Sequence, residues 1–403
     1  MRSHSRILVL LAMVCAGLGQ TSCKRCSRAE KPPPKLVPRD VTLDIVKVPP
    51  VSMAGMQRLD AATGIGLPAN CRVDLPIRSV PIGSRTLRFS ASRSHLSELA
   101  LLETRDGALV ASSIFDFETG KSGPSPWTAA DAPPAWDRTA RGWVAGLTKP
   151  EEGSVHSAVL WRSGGPHRAS VHGDQLALMD VACDGNVCGM LSSLARDAHA
   201  PGATLSWSDD HQAQHVTPPG DAPWEPLAIL KLSAQEHTAT LALAAPGAVQ
   251  LWTVTGAGAQ PGAQVDAPHG VYDVVQATKP VVIAPGLAPA AECQAGGFPL
   301  RASVVGGATH TIQASGAPHG LFARPLGAGA VVAWIAPAAC RLTEQTTVGA
   351  TLLDAQGAPI GSPMVVAEAR GFALATRGDR LALWLLMHQR VVHLTARCEL
   401  PEK

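Results

Sequence analysis

The sequence predicts an all-β fold, and three observations carry that reading. Across 403 residues, 38 Gly and 33 Pro interrupt the chain too often for long helices. Hydrophobic residues supply 46% of the chain and charged residues 16%, too apolar and too weakly charged for a disordered polypeptide. The apolar segments are short, alternating or continuous, as in TLRFSAS, ATLALAA, AVVAWIA, DRLALWLL and RVVHLTA, with the β-branched and aromatic content of half-buried strands. Lys and Arg number 34 against 32 Asp and Glu, a formal net charge of +2. Nothing in that balance attracts a polyanion, so nucleic acid is not an expected partner.

The first element is not part of the fold. Arg2, His4 and Arg6 precede an apolar run from Ile7 to Leu18, too short to span a bilayer and suited to the apolar region of a secretory signal. Residues 1–22 are read as that signal peptide. Cys23 follows Thr21 and Ser22, which resembles the bacterial lipoprotein processing site, although Gln20 stands where that site usually carries Leu. Cleavage after Gly19 is the alternative. Residues 23–41 cluster Lys24, Arg25, Arg28, Lys31 and Lys35 around Pro32, Pro33 and Pro34, the composition of an extended tether. The expected location is extracytoplasmic, in the periplasm or at the outer membrane surface. Contact with a membrane is expected only through a lipid on Cys23.

Cysteine usage fits export. Six cysteines, Cys71, Cys183, Cys188, Cys293, Cys340 and Cys398, lie in residues 42–403, without the paired spacing of a zinc site. Cys183 and Cys188 flank Asp184-Gly185-Asn186-Val187, a strong turn signal that faces the two thiols across a hairpin.

A repeat organises the rest. Gly270, Gly320 and Gly371 each open an apolar segment (VYDVV, LFARPL, FALAT) at spacings of 50 and 51 residues. Trp161, Trp207 and Trp252, each ending a strand pattern before a turn, are spaced by 46 and 45. Together the markers start units near residues 83, 131, 173, 221, 266, 316 and 368, each with room for four short strands. An open stack would expose two sheet edges, whereas radial closure removes them. The last unit has space for three strands only, and Thr42 to Val48 (TLDIVKV) is a lone strand pattern that can complete it from the other end of the chain. Such closure brings Cys71 toward Cys398 and leaves Cys293 with Cys340. In this pattern the chain resembles the seven-bladed β-propellers, particularly exported bacterial ones, over residues 42–403 as one domain. The alternative is an array of β-sandwich domains.

The sequence holds no nucleophile elbow, phosphate-binding loop or metalloprotease motif, and no cofactor or metal is expected. Asp209, Asp210, His211 and His215 read as a solvated turn. Asp137, Glu225 and Asp273 read as turn and strand-edge carboxylates. The one repeated constellation stands at successive blade starts: Trp136, His172, Trp224, His269, His319 and Arg370, four of them followed by Gly. If these line the opening of a central channel, they form a ring suited to an anionic or polar ligand. If they are turn signatures, Gly supplies a positive φ and the imidazole bonds a backbone carbonyl. Trp161, Trp207, Trp252, Trp334 and Trp384 are read as core fillers between sheets. The expected function is binding of an unknown protein or small polar ligand by a monomer. An extracytoplasmic, glycan-acting hydrolase or lyase working at the channel mouth is the alternative.

Overall fold

The computed structural model describes residues 39–40, 56–59, 65–68, 70–106, 108–123, 125, 135–139, 142–150, 155–162, 168–174, 177–196, 200–209, 213–218, 224–287, 297–338 and 345–401. Cys23, Thr42 to Val48, Cys293, Cys340 and the side chain of Trp161 lie outside that description. Every regular element described is a β-strand, and every strand pairing is antiparallel.

The strands form seven sheets. Six are built from four consecutive strands, and their innermost members are Thr86–Ala91, Trp136–Thr139, Ala177–Asp184, Glu225–Ser233, Asp273–Gln276 and Gly320–Leu326. The second of these sheets carries Arg39–Asp40 at its outer edge. The remaining sheet is composite: Gly371–Arg377, Arg380–Met387 and Arg390–Cys398 come from one end of the chain and Ile77–Pro81 from the other. Each innermost strand begins three to seven residues after the unit start read from the repeat. Consecutive innermost strands lie against one another from the second sheet round to the composite sheet, which in turn meets the first. The junction of first and second is made by Trp136, whose Nε1 donates to the Ser90 carbonyl at 3.1 Å. Sheets standing radially around an axis define a β-propeller, and a β-sandwich array is not favoured.

The closing strand differs from the one expected. Ile77–Pro81 lies along the first half of Arg390–Cys398, with Val391 opposite Val80 and His393 opposite Arg78, while the expected Thr42 to Val48 is outside the described residues. Ile77 and Val80 are buried, and that apolar gain fixes this segment in place. Cys71–Val73 pairs with the second half of the same strand, Cys71 opposite Cys398.

The core is not one central mass but a set of apolar layers between neighbouring sheets. Trp384, Phe115 and Leu99 pack between the composite sheet and the first blade, and Trp334, Phe298 and Ile283 between the fifth and sixth. Trp207 and Trp252 fill the layer between the third and fourth blades, as their sequence positions suggested. Tight packing imposes glycine at one point: a Cβ on Gly349 would sit 2.6 Å from the Trp334 ring. The Cys183 to Cys188 hairpin turns on Gly185 at φ 59°, and its two cysteines are opposite in register and disulfide-bonded. Cys71 and Cys398 form the second described disulfide.

Candidate functional site at the propeller axis

The innermost strands converge on an axial cavity of about 170 Å³, lined from the first, second, third, sixth and composite sheets. Phe322 and Phe372 sit near the starts of the strands Gly320–Leu326 and Gly371–Arg377 and meet edge to face, ring centroids 5.4 Å apart. Phe322 is 39% exposed, unusual for a large apolar side chain on an inner strand. The Arg324 guanidinium lies 5.5 Å from the Phe322 centroid, a cation–π contact. Trp136 and Val181 complete the apolar wall.

Charges at the axis are paired. Arg93, in the loop after the first inner strand, donates to Asp180 Oδ2 at 2.9 Å and to the Ile229 carbonyl, so it links the first, third and fourth blades. Arg324 donates to the Ala323 carbonyl at 2.9 Å and stands 3.5 Å from Asp273 Oδ2. Burial pushes the Asp273 carboxyl above the usual range, while Arg324 and the Ala323 and Val274 amides pull it down.

Three aspartates share one structural task that sequence reading missed. Asp137 Oδ2 accepts the Cys183 N–H at 3.2 Å, Asp180 Oδ2 the Ile229 N–H at 2.9 Å, and Asp273 Oδ2 the Ala323 N–H at 2.8 Å. In each case Oδ1 accepts the amide of the next residue, Arg138, Val181 or Val274. Every acceptor lies on one inner strand and its distant donor on the inner strand of the following blade. These carboxylates are therefore staples between blades rather than solvated edges, as Asp137 and Asp273 were read. A signal was present: a large apolar residue, then Asp, within the first four residues of an inner strand or just before it, in Trp136-Asp137, Met179-Asp180 and Tyr272-Asp273.

The blade-start ring is not assembled as expected. Trp136 lines the axial cavity but is buried, with its indole N–H bonded to Ser90. Trp224 is buried in the layer between the third and fourth blades. His172 is not at a blade start; it lies in the fourth strand of the second blade, opposite Ser157. His269 is half-buried in the turn before Asp273–Gln276, and His319 is exposed with its amide bonded to Ile335. Arg370 is exposed and borders a different cavity, beside Glu368, Met387 and His388. Of the glycines that follow, Gly270 has a positive φ of 91°, whereas Gly320 and Gly371 do not. Asp209 of the former turn cluster bonds His237 Nε2 at 2.7 Å, and His215 Nδ1 bonds Thr204 Oγ1 at 2.9 Å.

No family profile and no curated protein sequence matches this chain. Solved structures to which this chain is similar include the propeller domain of the Trilobed protease from Pyrococcus furiosus, 7% identical over 77% of this chain and 93% of that one, at a TM-score of 0.48. A prolyl endopeptidase is 12% identical at a TM-score of 0.47, covering 80% of this chain, which spans about half (52%) of that protein. A subtype N10 neuraminidase-like protein of A/little yellow-shouldered bat/Guatemala is 8% identical, with 81% of this chain and 99% of that chain covered, at a TM-score of 0.38. These likenesses concern the fold alone.

Proposed function

We propose that the chain is an exported binding protein, a ring of six contiguous blades and one composite closing blade that receives an apolar or aromatic side chain of a protein partner in its axial cavity. The observation that carries this reading is Phe322: exposed, edge to face with Phe372 and overlain by Arg324 at the opening of an apolar-walled cavity. Such a platform offers a ring-sized apolar contact with a guanidinium beside it to meet a carbonyl. Against a hydrolase or lyase stands the state of the axial carboxylates. Asp180 and Asp273 are occupied by backbone amides and guanidinium groups, leaving neither of them free for general acid or base work.

Two disulfides suit an oxidising, extracytoplasmic compartment. Residues 1–22 as signal peptide, Cys23 as the lipidated residue and residues 23–41 as tether complete the proposal. The test is titration of the protein with N-acetyl-phenylalaninamide, read by isothermal titration calorimetry. Binding that Phe322→Ala weakens at least about tenfold supports the reading. Equal binding by wild type and Phe322→Ala, or none by either, refutes it.

A further inference from the structure

A larger cavity, of about 320 Å³, opens between the first blade and the composite sheet, and none of the residues considered above as ligand-binding lines it. It lies among the hairpin ends: His95 to Ser97 and Phe117 to Glu118 on the first blade, Arg377 and Arg380 on the composite sheet. The loop after Thr86–Ala91 borders both cavities, Arg93 lining the axial one and His95 to Ser97 this one, while Phe322 lines only the axial cavity.

Its floor is polar and buried. His393 is 5% exposed and Thr395 is 1% exposed; both project from Arg390–Cys398 on the same side of the strand. His393 Nε2 is bonded to the Leu96 carbonyl at 2.8 Å, which requires that nitrogen to carry the proton. Nδ1 is thereby left as an acceptor; it and Thr395 Oγ1 each expose less than 1 Å² and have no partner among the described residues, so a ligand reaches Nδ1 by displacing the side chains that cover it. A neutral imidazole persists here because burial pushes its pKa down to about 4.

The rim is cationic. Arg78 donates to the carbonyls of Phe117 and Glu118, and Arg380 pairs with Asp74 at 2.6 Å. Arg377 is exposed and has no polar partner among the described residues. Glu118 is the one carboxylate in the lining, against three guanidinium groups. Phe117, Leu96 and Pro76 supply an apolar wall.

We propose that this cavity binds a small carboxylate that also carries a hydroxyl or N–H donor and an apolar body. The carboxylate sits at Arg377, within the field of Arg78 and Arg380, and the donor reaches His393 Nδ1. A buried acceptor without a partner is costly, so a ligand donor there gains more than the same bond would in water.

Isothermal titration calorimetry on the full exported protein tests this with mandelate, phenylacetate and mandelamide. Mandelate is expected to bind with Kd below about 1 mM, phenylacetate at least about tenfold more weakly because it lacks the donor, and mandelamide not measurably because it lacks the charge. Arg377→Gln, at an exposed position, should weaken mandelate at least about tenfold without changing Tm. Phe322→Ala should leave mandelate binding intact, which separates this cavity from the axial one. No heat with mandelate, equal affinity for phenylacetate or mandelamide, or full binding by Arg377→Gln would each overturn the proposal.

Discussion

Cys71 and Cys398, 327 residues apart in sequence, face each other in register on neighbouring strands and are joined by a disulfide. The bond ties the last strand of the chain to the N-terminal segment that leads into the closing strand. Asn70 reinforces the same seam by donating its amide to the Glu399 carbonyl at 3.1 Å.

Removing this bond is expected to loosen the ring at one place. Cys71→Ser with Cys398→Ser should cost about 2–5 kcal/mol of stability, because the unfolded chain loses a very long cross-link. Chemical denaturation of the double variant measures it. Hydrogen exchange should then speed up first in Ile77–Pro81 and Arg390–Cys398, not in the third or fourth blade.

The blade staples predict a cost of a different kind. Asp137 is 1% exposed and accepts from Ser92 Oγ, Ser94 Oγ and the amides of Arg138 and Cys183. Asp137→Ala strands these donors and should destabilise the protein by about 3 kcal/mol, read from urea midpoints at constant m-value. Glu103→Ala, on a partly exposed ion pair with Arg85, should cost under about 1 kcal/mol.

Gly349→Ala tests the packing between the fifth and sixth blades. The new methyl meets the Trp334 ring, and the ring is held by the layer of Phe298 and Ile283. An overpacking loss of about 1–3 kcal/mol is expected in thermal unfolding.

His393 gives the protein an acid-side slope. Unfolded histidine takes up its proton near 6.5, whereas the buried imidazole does so near 4. Between those values the unfolded state binds more protons, so stability falls as pH drops from about 6.5 to about 4 and this contribution is flat above 6.5. The full loss approaches about 3 kcal/mol. His393→Gln removes the titration, and its stability measured across that range should show a shallower slope than wild type.

The repeat was legible because a large aromatic late in a strand, as Trp207, or a glycine opening one, as Gly320 and Gly371, recurs at blade length. The hairpin disulfide was legible from Gly185 between two close cysteines. The closing strand was not: TLDIVKV is the longer apolar-rich pattern, while the segment that closes the sheet, IRSVP, is short, follows Pro76 and ends on Pro81. Only the burial of Ile77 and Val80 against Arg390–Cys398 selects it, and that is a tertiary fact. The site was misread for a similar reason. Histidines and glycines at similar spacing suggested a ring, but His172 falls one strand early, while Phe322, Arg324 and Phe372 reach the axis by strand alternation within LFARPL and FALAT.

The binding role assigned to the axial cavity is tested most directly by a crystal structure of the protein soaked with N-acetyl-phenylalaninamide. The expected result is the probe's ring seated against Phe322 and Phe372 with its carbonyl toward Arg324. A ring bound elsewhere on the molecule, or an axial cavity unchanged at saturating probe, would contradict it.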